Sequence, residues 1–495
     1  MNILGPGARS ILSNATYLFG SQVATTVARG IYVVVLARAL GPESFGVFNY
    51  AIAWYLLFIS LTYLGLDAYL VQRISTDRSS APALLRQTLI LRSGAAVIVA
   101  VGSCLVAMVI DSAREAWQLS GILAFALIGR ALWMWAVSAC TAFEQTRLAL
   151  QGDAIFRPLE IGAALLVLLW RPDLYWLAAT HAALWCAQGA FGVRMVAHKL
   201  SPFSRSIGMD DSIRLLARTL PAGMYTVVVS IFMQAPIVMM RLIERDEFRL
   251  GQFALAYQTC MYLLVIPYLI SAAMLPVVSR AAAMGDGRDV EFVSLLVRAA
   301  CICGATLVIV GGPAVAPLAT ALFGAHYAHA GQLLEMALWL SIPFAGVNLM
   351  LSLFLARHAY GAVGFSGTAG AVGMLATMFH AISLAGHAGA LVSVGAGMWL
   401  WLLLLTFSLR TQVPAYERSR SLRAYFVVFG ALLAHLLAAD FGLWLRIATG
   451  CAALVGASVV LRPLDGRDLQ VLKRAIADML GSTTKTTLQS DGARQ

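Results

Sequence analysis

Charged residues are scarce in this chain, and no long polar stretch interrupts its apolar segments. Asp, Glu, Lys and Arg make up 12% of the 495 residues, whereas apolar residues make up 60%, and the mean hydropathy is +0.80. A soluble domain carries about 25% charged residues. The composition therefore excludes a water-soluble enzyme and predicts a protein that lies almost wholly within a membrane.

The apolar segments have the length of transmembrane helices. A span needs about 20 apolar residues, and such spans are predicted near residues 14–36, 46–66, 89–110, 117–140, 156–170, 175–197, 217–241, 251–276, 295–318, 332–356, 361–384, 388–409, 424–439 and 441–461. Barrel strands alternate apolar and polar residues, whereas Leu402 to Leu405 is apolar on every face. We therefore predict an all-α integral membrane protein with about 14 transmembrane helices.

Cysteine patterns give no sign of a disulfide framework or a metal site. All seven cysteines lie within or beside predicted spans, where a thiol acts as a small hydrophobic group. Cys301 and Cys303 are two residues apart on a predicted helix, which points their thiols to different faces. No metal and no cofactor is expected. A cleavable signal peptide is also not visible, so the first span is expected to act as its own signal.

Positive charge is distributed unevenly over the loops. Most of the 35 Lys and Arg residues fall in one alternating set of loops and in the tail, and such residues stay on the cytoplasmic side. Both termini are therefore predicted to be cytoplasmic, with the loops at 40–45, 324–331 and 385–387 outside. The net charge of +11 is scattered over many short loops, so we do not expect a nucleic-acid partner.

Two similar segments suggest an internal repeat. Gly46-Val47-Phe48 opens the second span and Gly251-Gln252-Phe253 opens the eighth. Six spans separate the copies, which implies parallel repeats, although chance similarity between apolar helices is the alternative. The predicted divisions are an N-lobe of six helices at 1–200, a cytoplasmic linker at 201–216, a C-lobe of six helices at 217–410, two extra helices at 411–463 and a cytoplasmic tail at 464–495.

The most specific segment follows the first span and reads Ala-Arg-Ala-Leu-Gly-Pro-Glu-Ser-Phe-Gly at 37–46, with Leu-Gly-Leu at 64–66 and Arg-Ile-Ser at 73–75. It resembles the polysaccharide flippase family of the multidrug/oligosaccharidyl-lipid/polysaccharide exporter superfamily. The physical role of Gly41-Pro42 is to stop the helix and form a tight outer turn. Members often carry an acidic residue midway along the seventh span, where this chain has Gln234, so that site is not expected to couple ions.

The resemblance implies a flippase that carries a polyprenyl-diphosphate oligosaccharide across the bacterial cell inner membrane by alternating access. Such a protein is a transporter and not an enzyme. Its expected partners are membrane lipids, a polysaccharide polymerase and a chain-length regulator. A membrane-embedded polysaccharide polymerase or ligase is one alternative, disfavoured by outer loops that are too short. A small-molecule or drug exporter of the same superfamily is the other, disfavoured because the charge within the spans is positive.

Two arginines fall deep inside predicted spans. Arg29 lies about 22 Å along the first span, and Arg130 has a similar depth in the fourth. Each costs about 2.5–3.5 kcal/mol to insert, so each needs a partner or a wet cavity. We predict that both line a cationic cavity and bind the diphosphate through paired hydrogen bonds, with Arg218 at the cavity mouth. The alternative is a structural arginine paired with helix carbonyls or a buried glutamate.

Candidates for ion coupling are the ionisable groups Glu160, His181 and His380, although a histidine in a membrane span is more often structural. Arg157 and Glu160 are three residues apart and are predicted to pair. Four aromatic residues are candidates either for stacking on sugar rings or for packing in the core: Trp133, Trp135, Tyr225 and Tyr257.

Overall fold

The computed structural model describes residues 6–111, 113–203, 209–264, 287–412, 418–438, 441–466 and 468, with single positions between 265 and 286. Throughout these residues the regular structure is helical and no strand occurs. The helices are α1 Pro6–Ile59, α2 Leu66–Thr76, α3 Ala81–Ile110, α4 Arg114–Ala142, α5 Thr146–Trp170, α6 Leu174–Met195, α7 Met209–Glu244, α8 Glu247–Leu263, α9 Arg288–Phe323, α10 Ala328–Ala337, α11 Ser341–Ala356, α12 Tyr360–Gln412, α13 Arg418–Leu437 and α14 Leu443–Leu461.

Two of these helices each contain a sharp turn at a glycine. Gly41 in α1 has φ 72° and ψ 172°, and Gly386 in α12 has φ 54° and ψ −128°. Both values are non-helical and favour glycine, and Pro42 removes a backbone donor directly after the first turn. The turns predicted at 40–45 and at 385–387 are confirmed, and α1 and α12 each consist of two helices joined at the glycine.

Nine helical segments in the described part of the chain are long and apolar enough to cross a membrane. The prediction of an all-helical, multi-pass membrane protein is confirmed, and the predicted count of 14 spans is compatible with these helices. α5 and α6 are long enough to span a membrane, yet they are not among the nine. The first half of α5 contains Arg147, Asp153 and Arg157, which lower its hydropathy.

The fifth helix begins earlier than its hydropathy suggests. The predicted span starts at 156, whereas α5 begins at Thr146. Arg157 and Glu160 therefore lie near the middle of α5 and not at its first turn. The polar face of the first three turns hides that part of the helix from a hydropathy reading.

The chain divides into two compact units. One holds Met1–Leu269, Ala314–Ser341 and Ala359–Trp401, and the other holds Ile270–Pro313, Ile342–His358 and Leu402–Gln495. The first unit contains residues from both predicted lobes, so the two compact units do not correspond to the two lobes. The lobe boundaries stay a prediction. Within the second unit, Asp289 of α9 accepts two hydrogen bonds from Arg357, at 2.6 and 2.7 Å.

Within the first unit, the two repeat-like segments pack against each other. A Cβ added at Gly46 would lie 2.6 Å from the carbonyl oxygen of Glu247 and 2.7 Å from the backbone nitrogen of Gly251. A Cβ added at Gly251 would overlap the carbonyl oxygen of Pro42. Corresponding glycines of the two segments thus meet backbone to backbone, which is the arrangement that a two-fold relation between parallel repeats produces.

Candidate functional site

Arg29 and Arg130 interact within the first unit. Each lies near the middle of a membrane helix and is half-buried. Arg29 is within electrostatic range of Arg130, Arg157 and Glu160. The Arg130 guanidinium lies 4.7 Å from the centre of the Trp185 ring. These two arginines are therefore members of one polar cluster.

A chain of polar contacts runs from Arg130 through the cluster. Arg130 Nη1 lies 3.5 Å from the hydroxyl oxygen of Tyr55, and that oxygen lies 3.1 Å from His181 Nε2. The opposite ring nitrogen of His181, Nδ1, is 2.8 Å from Glu160 Oε1. Glu160 also accepts a hydrogen bond from Arg157, so the predicted pairing of Arg157 with Glu160 is confirmed.

The chain continues on the other side of Arg157. Its Nη2 donates to the Gln188 side-chain oxygen, and Gln188 Nε2 donates to Asp153 at 3.0 Å. The Arg157 guanidinium lies 4.2 Å from the Trp185 ring centre. Trp185 therefore contacts the guanidinium groups of both Arg130 and Arg157 through its ring, an arrangement that aromatic quadrupoles stabilise.

The position of each residue follows from helical spacing. Asp153, Arg157 and Glu160 are at i, i+4 and i+7 of α5, and α6 repeats that spacing with His181, Trp185 and Gln188. Residues at this spacing share one helix face. Both polar faces meet inside the bundle because a charged face turned toward lipid is costly.

Among the arginines of this cluster, the ones without a carboxylate partner stand out. The ion pairs of the described residues include Arg157 but neither Arg29 nor Arg130. In that same part of the chain, the buried donors Arg130 Nε and Trp185 Nε1 have no hydrogen-bond partner. Buried polar groups are nearly always hydrogen-bonded. Unpartnered donors beside unpaired cations form a site suited to an anion.

An ion pair of another buried arginine lies close by. Arg92 of α3 is fully buried and forms an ion pair with Asp67, which also accepts a hydrogen bond of 2.8 Å from Ser138. The Arg92 guanidinium stacks 4.9 Å from the Tyr63 ring centre. Arg92 has its own carboxylate, which distinguishes it from Arg29 and Arg130, although its Nε and Nη1 also lack a hydrogen-bond partner in the described part of the chain.

The structure does not bring the other two candidate residues into the cluster. Arg218 is an exposed residue of α7, and His380 is an exposed residue of α12. The ring of His380 contacts the ring of its neighbour Phe379. Arg29, Arg130, Glu160 and His181 are thus grouped, and Arg218 and His380 have no contact with that group among the described residues. Asp440, a further acidic residue near a predicted span, lies outside the described residues.

Sequence reasoning missed several members of the cluster. Tyr55, Asp153, Trp185 and Gln188 carry no charge pattern that stands out along the chain. The signal that predicts Asp153, Trp185 and Gln188 is the shared i, i+4, i+7 spacing on two successive helices, and this spacing does not include Tyr55 of α1. Three of the aromatic candidates for sugar stacking are fully buried and pack in the core: Trp133 is 0%, Trp135 1% and Tyr257 0% exposed. The fourth, Tyr225, is half-buried.

A family model described as "Polysaccharide biosynthesis protein" matches residues 11–282. That range covers more than half of the chain, and it includes α1 to α8 with the whole polar cluster. The chain belongs to this family. Its resemblance to the multidrug/oligosaccharidyl-lipid/polysaccharide superfamily is thereby confirmed. No curated protein matches the sequence.

Solved structures with the same fold are membrane transporters. The lipid II flippase MurJ in an inward closed conformation is similar with a TM-score of 0.64 and 13% identity, over 91% of this chain and 99% of that one. An inward-facing multidrug resistance MATE family transporter is similar with a TM-score of 0.62 and 16% identity, over 80% of this chain and 95% of that one. A superfamily transporter from Pyrococcus furiosus is similar with a TM-score of 0.57 and 15% identity, over 82% of this chain and 94% of that one. Its binding pocket is described as having reverse polarity. At these identities the likeness establishes the fold of this family member.

Proposed function

We propose that this protein is a flippase that moves a polyprenyl-diphosphate-linked oligosaccharide from the inner to the outer leaflet of the bacterial cytoplasmic membrane. The polar diphosphate and sugar cross inside the helix bundle while the lipid tail stays in the bilayer. Alternating access between two lobes, at 1–200 and 217–410, opens the cavity first inward and then outward. The transfer needs no covalent chemistry.

The observation that carries this proposal is the pair of carboxylate-free arginines. Arg29 and Arg130 are half-buried, lie near the middle of their helices, and have no ion-pair partner among the described residues. A guanidinium offers two parallel N–H donors that match the oxygens of a phosphate. Two such groups in electrostatic contact suit a diphosphate, which carries a negative charge on each phosphate. Arg218, exposed on α7, is proposed to meet the diphosphate at the cavity mouth.

Two further observations support the transport step. The backbone contact between Gly46 and Gly251 fits parallel repeats, the symmetry that rocking-lobe transporters use. Glu160, Arg157 and His181 form a buried ionisable group, and groups of this kind within spans mark ion pathways. We therefore propose Glu160 and His181 as the ion-coupling residues, whereas the exposed position of His380 gives it no support.

The experiment is a deletion of the gene in its native host followed by lipid extraction and mass spectrometry. A membrane-impermeant reagent reports the leaflet of any polyprenyl-diphosphate glycan that accumulates. A finished repeat unit trapped on the inner leaflet is expected. Wild type is expected to restore export, whereas Arg29→Gln and Arg130→Gln are not. The matched control is Arg194→Gln, which changes an exposed arginine of α6 and is expected to restore export.

Other outcomes select the alternatives. Single units on the outer leaflet point to a polymerase or ligase, because such an enzyme acts after flipping. No change in any lipid-linked sugar points to a small-molecule exporter, the function named for the similar multidrug transporter. Full rescue by both Arg29→Gln and Arg130→Gln contradicts the proposed diphosphate site.

A further inference from the structure

Glu160 has two partners, one at each oxygen of its carboxylate. Arg157 donates to Oε2, and His181 Nδ1 lies 2.8 Å from Oε1. The side chains of all three residues are largely buried, with exposures of 9% for Arg157, 11% for Glu160 and 7% for His181. The carboxylate therefore neutralises Arg157 from inside the protein and leaves Arg29 and Arg130 as the unpaired cations.

Arg157 nevertheless lies beside the proposed anion site. Its guanidinium and that of Arg130 contact the same Trp185 ring, at 4.2 and 4.7 Å from the ring centre. It is also in electrostatic range of Arg29. An anion held by Arg29 and Arg130 comes close enough to attract Arg157 and to repel Glu160, because charges interact strongly in a low-dielectric interior.

We propose that Glu160 is an internal counter-anion, which holds Arg157 in the empty protein and yields it to the diphosphate when substrate binds. The inference rests on the proposed function and deepens it. Glu160 then stays with His181, which takes up one proton from water to form an imidazolium. No covalent bond between heavy atoms forms or breaks. Arg157 becomes the third guanidinium on the diphosphate.

The surroundings of His181 suit this proton uptake. His181 faces Tyr55 of α1, Glu160 of α5 and Trp185 of its own helix. Two arginines lie one contact further away: Arg157 pairs with Glu160, and Arg130 of α4 contacts the Tyr55 hydroxyl. The Tyr55 oxygen and the Glu160 carboxylate stand at opposite ring nitrogens. Both can accept a hydrogen bond, and an imidazolium donates from both nitrogens, so each nitrogen of the charged ring has an acceptor atom close by, at 3.1 Å for Nε2 and 2.8 Å for Nδ1.

The charges of the cluster support the same step. Arg29, Arg130 and Arg157 face the carboxyl groups of Glu160 and Asp153. A diphosphate diester with one negative charge on each phosphate leaves this set with an excess of negative charge. One proton on His181 removes that excess, and uncompensated charge in a membrane interior is strongly disfavoured.

The test uses the full-length protein in lipid nanodiscs with a farnesyl-diphosphate-linked sugar as the probe, because this diester carries one negative charge on each phosphate and, unlike farnesyl diphosphate itself, does not exchange a proton near neutral pH. Calorimetric titrations near neutral pH, in two buffers of different ionisation enthalpy, measure the affinity and the number of protons taken up. Wild type is expected to bind with proton uptake. Glu160→Gln is expected to bind about tenfold more tightly and without proton uptake. Glu244→Gln is the matched control, because Glu244 is also buried and pairs with an arginine, Arg249, and it should match wild type.

His181→Gln is the second variant, since it keeps a hydrogen-bonding side chain beside Glu160 yet cannot take up a proton. It is expected to bind without proton uptake, and a melting curve of each variant establishes that it is folded. Unchanged affinity in a folded Glu160→Gln, or proton uptake that persists in His181→Gln, overturns the inference while Arg29→Gln still weakens binding. If Arg29→Gln and Arg130→Gln bind the probe like wild type, the proposed function and this inference both fail.

Discussion

The contact between Gly46 and α8 permits a quantitative test of the packing between the two repeat-like segments. In Gly46→Ala the added Cβ would lie 2.6 Å from the carbonyl oxygen of Glu247. A carbon and a carbonyl oxygen need about 3.3 Å, so the two helices must separate by about 0.7 Å. Overpacking of this kind costs about 1–3 kcal/mol. Alanine recovers about 1 kcal/mol through its higher helix propensity, which leaves a net loss of about 0–2 kcal/mol.

The measurement is unfolding in mixed detergent micelles, titrated with dodecyl sulfate and followed by circular dichroism. Gly364→Ala in α12 is the control, because no atom lies within 4 Å of its added Cβ. This control should gain about 0.5–1 kcal/mol from reduced chain entropy. If Gly46→Ala is as stable as Gly364→Ala, the two glycines are not required for close approach and the packing argument is wrong.

Two further predictions concern charged residues outside the cluster. Asp289 is fully buried and accepts two hydrogen bonds from Arg357. Asp289→Asn should therefore lower the free energy of unfolding by about 3 kcal/mol in the same detergent titration. Arg357→Lys keeps the charge and loses the paired geometry, so it should lower the free energy of unfolding by less. The pKa of Asp77 is lowered by hydrogen bonds from the Ser79 hydroxyl and amide. Its contribution to stability is therefore present above the ordinary aspartate pKa of 3.8 and is lost as the pH falls below it. Hydrogen exchange at the Ser79 amide, corrected for its intrinsic rate, should accelerate over that range in wild type, and an equally pH-dependent Asp77→Asn contradicts the assignment.

The helices were predictable because hydropathy is a local property. Apolar runs of membrane-spanning length and turn residues such as Gly41-Pro42 depend only on neighbouring residues. α5 was placed too short for the same reason, since Arg147 and Asp153 are charged residues in its first turns. The charges of Asp153 and Arg157 are compatible with a buried position only because Gln188, Glu160 and Trp185 lie against them in the folded protein.

The sequence by itself determined the class of protein, the turns between helices at Gly41 and Gly386, and the presence of arginines deep in the bundle. Only the tertiary structure decided which arginines have a carboxylate and which do not. Arg157 and Glu160 pair through helical spacing, a relation along one helix, whereas the contacts of Arg130 with Tyr55 and Trp185 join three different helices. Contacts between helices depend on how the helices pack, and that packing is a property of the whole bundle rather than of any segment.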